Sequence, residues 1–116
     1  MSGLGPEIVF LDANGKRRAG LGMGADGGLF LNDSNSDVRA FLGLSKGTGS
    51  LSFFDADGKM RVLLDERSLE LSDKEGFETT IGTTDLLGLR TGETRRTSAA
   101  SVVLFDKDKK VLWEAP

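Results

Sequence analysis

Five aspartates in this 116-residue chain, Asp12, Asp33, Asp55, Asp73 and Asp106, stand where chemistry would be sought first. Their spacings are 21, 22, 18 and 33 residues. Three residues after them come Gly15, Ser36, Gly58, Gly76 and Lys109, and six after the first three come Arg18, Arg39 and Arg61. Oxygen-bearing side chains at alternate positions, as in Asp33-Ser34-Asn35-Ser36-Asp37, are what a calcium ion takes. An arginine row is what an anion takes. The same residues also make turns: Asp accepts a hydrogen bond from the backbone N–H two residues on, and Asp-Gly supplies the positive φ of a reversal.

Each chemical reading meets an obstacle. A twelve-residue calcium loop wants Gly at position six and Glu at position twelve; counted from Asp33, those places hold Val38 and Leu44. The pairs Asp55/Asp57 and Asp106/Asp108 read the same way, as polar turns. Gly22-Met23-Gly24-Ala25-Asp26-Gly27 spells a dinucleotide fingerprint, but that motif must open a helix. Here it leads into Leu29-Phe30-Leu31-Asn32-Asp33, a strand entering a turn. Gly43-Leu44-Ser45-Lys46-Gly47-Thr48-Gly49-Ser50 has the ingredients of a phosphate loop in the wrong order, and reads as a flexible connection. Arg90, Arg95 and Arg96 form a basic cluster; without aromatic company it reads as a solvated face. There is no histidine and no cysteine, which removes the usual general base, the thiol nucleophile, disulfides and zinc–thiolate sites. No nucleophile elbow, metal triad or isolated carboxylate pair stands out. No catalytic, cofactor or metal residue is assigned.

The elements that carry these residues repeat. Leu51-Ser52-Phe53-Phe54-Asp55-Ala56-Asp57-Gly58-Lys59-Met60-Arg61-Val62-Leu63-Leu64 reads as two strands around a tight turn. Sliding that unit along the chain aligns two wholly apolar columns. Four residues before each Asp stand Ile8, Leu29, Leu51, Leu69 and Val102; two before stand Phe10, Leu31, Phe53, Leu71 and Leu104. A period of about 21–22 residues signals a repeat architecture. The expected hairpin units are about 7–22, 29–44, 51–65, 69–82 and 101–116, with an irregular insertion at 83–100 that can form a sixth, worn hairpin turning at Thr91-Gly92-Glu93. Ser72-Asp73-Lys74-Glu75 matches a helix capping box, but no apolar helical run comes after it, so a strand and turn are expected there. Trp113 reads as a lid on the core.

Offsets −4, −2, +5, +7 and +9 from each Asp compose one mostly apolar face. The other face holds the arginines together with Val9, Leu11, Phe30, Phe41, Phe54, Leu63, Ile81, Val103 and Phe105. That is too apolar for water, so either the hairpins fold into two packed layers or the second face meets another chain. Each Arg of the column can reach back over its own turn or meet a neighbouring repeat's Asp, which makes a structural column the expectation ahead of an anion-binding row.

The turn pattern Asp-x-x-Gly-x-x-Arg, with the closing segment Leu104-Phe105-Asp106-Lys107-Asp108-Lys109-Lys110-Val111-Leu112-Trp113-Glu114-Ala115-Pro116, resembles the β-hairpin repeat regions of uncharacterised bacterial proteins. The resemblance spans about Glu7 to the end, with a degenerate fourth copy and Lys109 where Gly is usual. In that group the repeats often come after a membrane helix or a coiled coil; this sequence reads as neither. The resemblance brings no activity or catalytic residue with it.

The length suits one domain, 1–116, with a modest core. Sixteen glycines suit a turn-rich chain, and a net charge of −3 gives no drive toward nucleic acid. The N-terminus lacks the basic and apolar regions of a signal peptide, and no run is long enough to span a bilayer. The expected fold is all-β: tandem hairpins in a solenoid-like or prism-like structure completed by oligomerisation, a trimer ahead of a dimer. The expected function is a non-enzymatic self-assembly module. The alternative is a ligand-binding module for sugar, anion or weak calcium through the repeated loops, weakened by a single Trp and no Tyr.

Overall fold

The computed structural model describes residues 5–23, 27–87 and 94–116. Among them the chain forms strands β1 (Glu7–Leu11), β2 (Arg17–Met23), β3 (Gly27–Asn32), β4 (Val38–Ser45), β5 (Thr48–Phe54), β6 (Met60–Asp65), β7 (Ser68–Ser72), β8 (Glu78–Gly82), β9 (Asp85–Leu87), β10 (Thr94–Arg96), β11 (Val102–Phe105) and β12 (Val111–Ala115). The fold is all-β. Ten strands lie in antiparallel sheet, and β9 and β10 pair with each other. Two compact units divide the chain, Met1–Arg61 and Val62–Pro116. In the first, the order is β1-β2-β3-β4-β5. In the second it is β6-β7-β8-β11-β12.

The segments expected to link hairpins are themselves largely tight turns. β4 and β5 pair through to Ser45↔Thr48, leaving Lys46 and Gly47 as a two-residue turn with φ of 52° and 81°. Positive φ at both central residues is the hairpin reversal whose twist matches the strands, so the expected flexible connection is a hairpin instead. Between β6 and β7, Asp65 Oδ1 accepts hydrogen bonds from the Arg67 and Ser68 N–H groups. β9 and β10 pair antiparallel within the segment where a sixth hairpin is expected, while its turn at 91–93 lies outside the described residues.

Pairing in the first unit sorts its side chains onto two faces, because residues directly opposite in an antiparallel ladder share a face. One face carries the rows Ile8–Leu21–Leu29–Leu42–Leu51 and Phe10–Ala19–Leu31–Ala40–Phe53, with Met23 and Leu44 beyond them. All of these are apolar, and the large side chains, Leu51 excepted, remain 39–60% exposed.

The opposite face is covered in part from within, with Val9, Leu11 and Val38 left exposed. Its positions include Gly20, Gly22, Gly28, Gly43, Phe30 and Phe41. The two phenyl rings stack with centroids 6.1 Å apart and planes 13° from parallel. They lie over Gly20, Gly28 and Gly43: a Cβ at Gly20 would sit 2.6 Å from the Phe30 ring, and one at Gly28 would sit 2.5 Å from the Phe41 ring. Glycine weakens a strand, and a flat ring laid across it restores the missing burial. Arg17 completes the cover, its guanidinium 5.4 Å from the Phe30 centroid and its other side paired with Glu7.

The second unit repeats the asymmetry by other means. Leu64, Leu71, Ile81 and Trp113 share an exposed face. On the other, Val103 is fully buried between Thr80 and Glu114. Leu86, in β9, is also buried. These two are the buried apolar side chains among the described residues. Trp113 is 52% exposed, so within its own unit it lids no core.

Two face assignments expected from spacing are overturned by bulges. In the first, second and fifth hairpins the ladder slips one residue beside the turn, so that Leu11 faces Arg17, Asn32 faces Val38 and Phe105 faces Val111. The extra residue, six past the Asp, is taken up as a β-bulge, and one residue of slip exchanges faces. The +5 column therefore lies with the −1 column, away from the apolar rows. The fourth hairpin has no such slip: Leu71 faces Thr79 and Leu69 faces Ile81. Ile81 thus joins the apolar rows instead of the arginine face, and Thr80 turns inward.

Candidate functional site

The aspartate turns are built alike. The Asp N–H donates to the carbonyl four residues on and the N–H three residues on donates back to the Asp carbonyl, in all five. In each turn the Asp Oδ1 also accepts backbone N–H groups two and four residues later. The third residue after the Asp has positive φ throughout: Gly15 78°, Ser36 66°, Gly58 78°, Gly76 103° and Lys109 66°. Glycine takes this conformation without strain, while an L side chain costs about 1–2 kcal/mol there. Ser36→Gly is therefore expected to stabilise the protein by roughly 0.5–1 kcal/mol. A urea titration checks this; an unchanged or lower midpoint would refute it.

Arg18 and Arg39 of the arginine column occupy the bulges of the first two hairpins. Arg18 and Arg39 each do two things. Each lies beside its own turn, at 3.6 Å from Asp12 Oδ2 and 3.4 Å from Asp33 Oδ2. Each also donates through Nε to a carbonyl of the next hairpin, Asn32 O at 3.2 Å and Phe54 O at 2.8 Å. Arg61 Nε donates to Asp55 Oδ2 at 2.7 Å. In the first two hairpins the neighbour is met at a backbone carbonyl, not at its Asp. Guanidinium serves this better than an ammonium because its rigid fork donates in two directions.

This geometry sets the electrostatics. The turn amides hold Asp12, Asp33 and Asp55 below their ordinary 3.8: Lys16 N–H is foremost for Asp12, Asn35 N–H for Asp33 and Lys59 N–H for Asp55. Partial desolvation works against this, and the arginines add to it. A depressed pKa means the folded state binds its proton less tightly than the unfolded chain. The resulting stability is present above pH 3.8 and disappears as pH falls through the lower folded values. The melting temperature is expected to hold near neutrality and drop below about pH 4, and Asp55→Asn is expected to flatten that drop. Equal slopes in variant and parent would count against it. Glu70 runs the other way, raised first by burial and then by Glu78 and Asp65, so acid relieves it.

For a cation the turns are poor hosts, since Oδ1 is committed to backbone amides and, in the first three, Oδ2 faces a guanidinium. The basic cluster is committed as well: Arg95 pairs with Glu114 at 2.7 Å and Arg96 with Asp85 at 3.0 Å, while Arg90 lies outside the described residues. In the glycine fingerprint, residues 24–26 also lie outside them, and Gly27 opens β3 where a cofactor site needs a helix. An open groove of about 400 Å³ in the second unit is lined by Leu71, Phe77, Leu104, Phe105 and their neighbours. Its two carboxylates are engaged, Asp73 by backbone amides and Glu78 by Lys109.

Sequence reading missed the glycine floor under Phe30 and Phe41 and the polar hub around Gly82. Glycine at alternate strand positions beside phenylalanine was the available signal for the first. The second has none, because it joins residues 15 and 19 apart in the chain: Thr97 Oγ1 and Ser101 Oγ both donate to Gly82 O.

Comparison with family models, with curated proteins and with solved structures finds no match for this chain.

Proposed function

We propose that this chain is a non-enzymatic self-assembly module, a β-hairpin repeat region of the kind its turn pattern resembles, completed by other copies of itself. One observation carries the reading: the first unit leaves an unbroken apolar sheet face exposed. On its opposite face the stacked rings of Phe30 and Phe41 cover Gly20, Gly28 and Gly43, and the exposed large apolar side chains paired there are Val9, Leu11 and Val38. Fully burying a Leu, Ile, Phe or Met side chain is worth about 1.5–3 kcal/mol, so each half-exposed one leaves about 1 kcal/mol unrealised. A contiguous apolar face of roughly 500 Å² stands at the upper end of what monomer surfaces expose, and patches of that size commonly mark interaction sites. The turns and arginines then serve a scaffold role, setting the pitch and register of the hairpins. From the repeat pattern alone, a trimer in a prism-like arrangement is expected ahead of a dimer.

The test is solution mass by light scattering after size exclusion, with and without calcium. A stable trimer or dimer, unchanged by calcium, is the expected result. A monomer at every concentration would sink the reading. Calcium-dependent mass or melting would favour the ligand-binding module instead.

A further inference from the structure

Resting on that reading, we infer that the apolar face of the first unit is a self-complementary interface whose occupant is the same face of another copy of this chain, a two-fold contact that selects the dimer over the trimer. The pattern within the face carries the argument. Along the row nearest the turns, large and small side chains alternate from strand to strand: Phe10, Ala19, Leu31, Ala40, Phe53. Neighbouring strands are about 4.8 Å apart, so the three large side chains stand as ridges about 10 Å from one another with an alanine floor between. Ridges and floors of that pitch interdigitate when one copy faces another, which is how facing layers reach core density. An acyl chain or a bilayer surface has no matching corrugation.

Area and charge agree. Five strands by about six residues give a flat footprint of roughly 500 Å², and projecting half-exposed side chains raise it toward the roughly 800 Å² each partner contributes to a standard interface. No charged residue stands among the paired positions of the two apolar rows. Residues 1–61 carry seven acidic and seven basic side chains, so the unit has no electrostatic pull toward an anionic surface.

The decisive variant fills a floor. Ala40→Leu adds apolar area, so indiscriminate stickiness would be strengthened by it. Interdigitation would be blocked, and the dissociation constant is expected to rise roughly ten- to a hundredfold. Leu31→Lys is expected to give monomer that keeps the β circular-dichroism spectrum. If the parent assembles and both variants assemble as well as the parent, another surface is used; the inference falls and the self-assembly reading stands. If the parent is monomeric, both fall. Because the chain has no cysteine, Leu31→Cys gives a reading that does not depend on the lysine variant folding. Its thiol is expected to be shielded from maleimide in the assembly and labelled on dilution, while Val9→Cys, exposed on the opposite face, labels at the same rate in both. Concentration-independent labelling at position 31 would overturn the inference.

Discussion

Gly82→Val is expected to destabilise the second unit by about 3–5 kcal/mol, enough to unfold it on its own. Gly82 has φ of +115°, a region that bulky L residues avoid, at a cost of about 1–3 kcal/mol. A Cβ there would sit 2.4 Å from Arg67 O and 3.0 Å from Ser68 Cα. Both are backbone atoms of the adjoining β7 hairpin, so relief requires moving a strand, which adds about 1–3 kcal/mol. The residue is also a junction. Its N–H donates to Ser101 O at 2.8 Å, and its carbonyl accepts from Thr97 Oγ1 at 3.0 Å and Ser101 Oγ at 2.8 Å. Thr97 and Ser101 are themselves buried, so displacing Gly82 takes an acceptor from each of two hydroxyls held out of water, leaving Thr97 Oγ1 only the Thr84 N–H it accepts and Ser101 Oγ only Ser98 O. Urea unfolding combined with hydrogen exchange across residues 78–105 reads the effect. Gly22→Val is the control: no atom lies within 4 Å of its Cβ position, and a change within about 0.5 kcal/mol is expected. Near-equal midpoints for the two variants would refute the account of Gly82.

The second large effect belongs to the phenylalanine stack. Phe41→Ala is expected to cost about 2–3 kcal/mol, less than the roughly 3–5 of a fully buried ring because Phe41 is only partly buried. The ring does three jobs: it stacks on Phe30, covers Gly28 and covers Gly43. Its loss strips cover from a strand pair that has no side chains of its own there. Gly28→Val alone is also expected to destabilise, since its Cβ meets the Phe41 ring at 2.5 Å and next finds only Leu42 O at 3.6 Å. Combined, the valine occupies space the ring has vacated. The double variant should be more stable than the sum of the singles by over about 1 kcal/mol. Strict additivity would show that ring and glycine are not the matched pair described.

How much of this was legible in the chain depends on the range of each interaction. Asp12, Asp33, Asp55, Asp73 and Asp106 and the residues three beyond them specify their turns, because every hydrogen bond involved closes within four residues. The hairpin spans and the two apolar columns were legible for the same reason: alternation is read locally, and a strand's pleat converts it directly into faces. The +5 column was misplaced because a bulge is a property of a pair of strands, and nothing in one strand's alternation announces it. Ile81 was misplaced because its hairpin, the fourth, lacks that slip. The insertion at 83–100 hid its role because Thr97 and Ser101 act on Gly82, across a distance in sequence that no local pattern spans.

By itself, then, the sequence determined the turns, the strands and the apolar content of both faces, all set by contacts between near neighbours. Only the tertiary structure decided which face is finished. Phe30 and Phe41 lie flat because glycines leave room beneath them, and Val103 is buried in the strand between β8 and β12, at a position its own alternation does not distinguish from its neighbours. The rows through Leu29 and Leu31 receive no such cover from their own unit, and whether a side chain is covered depends on what the rest of the chain brings to it.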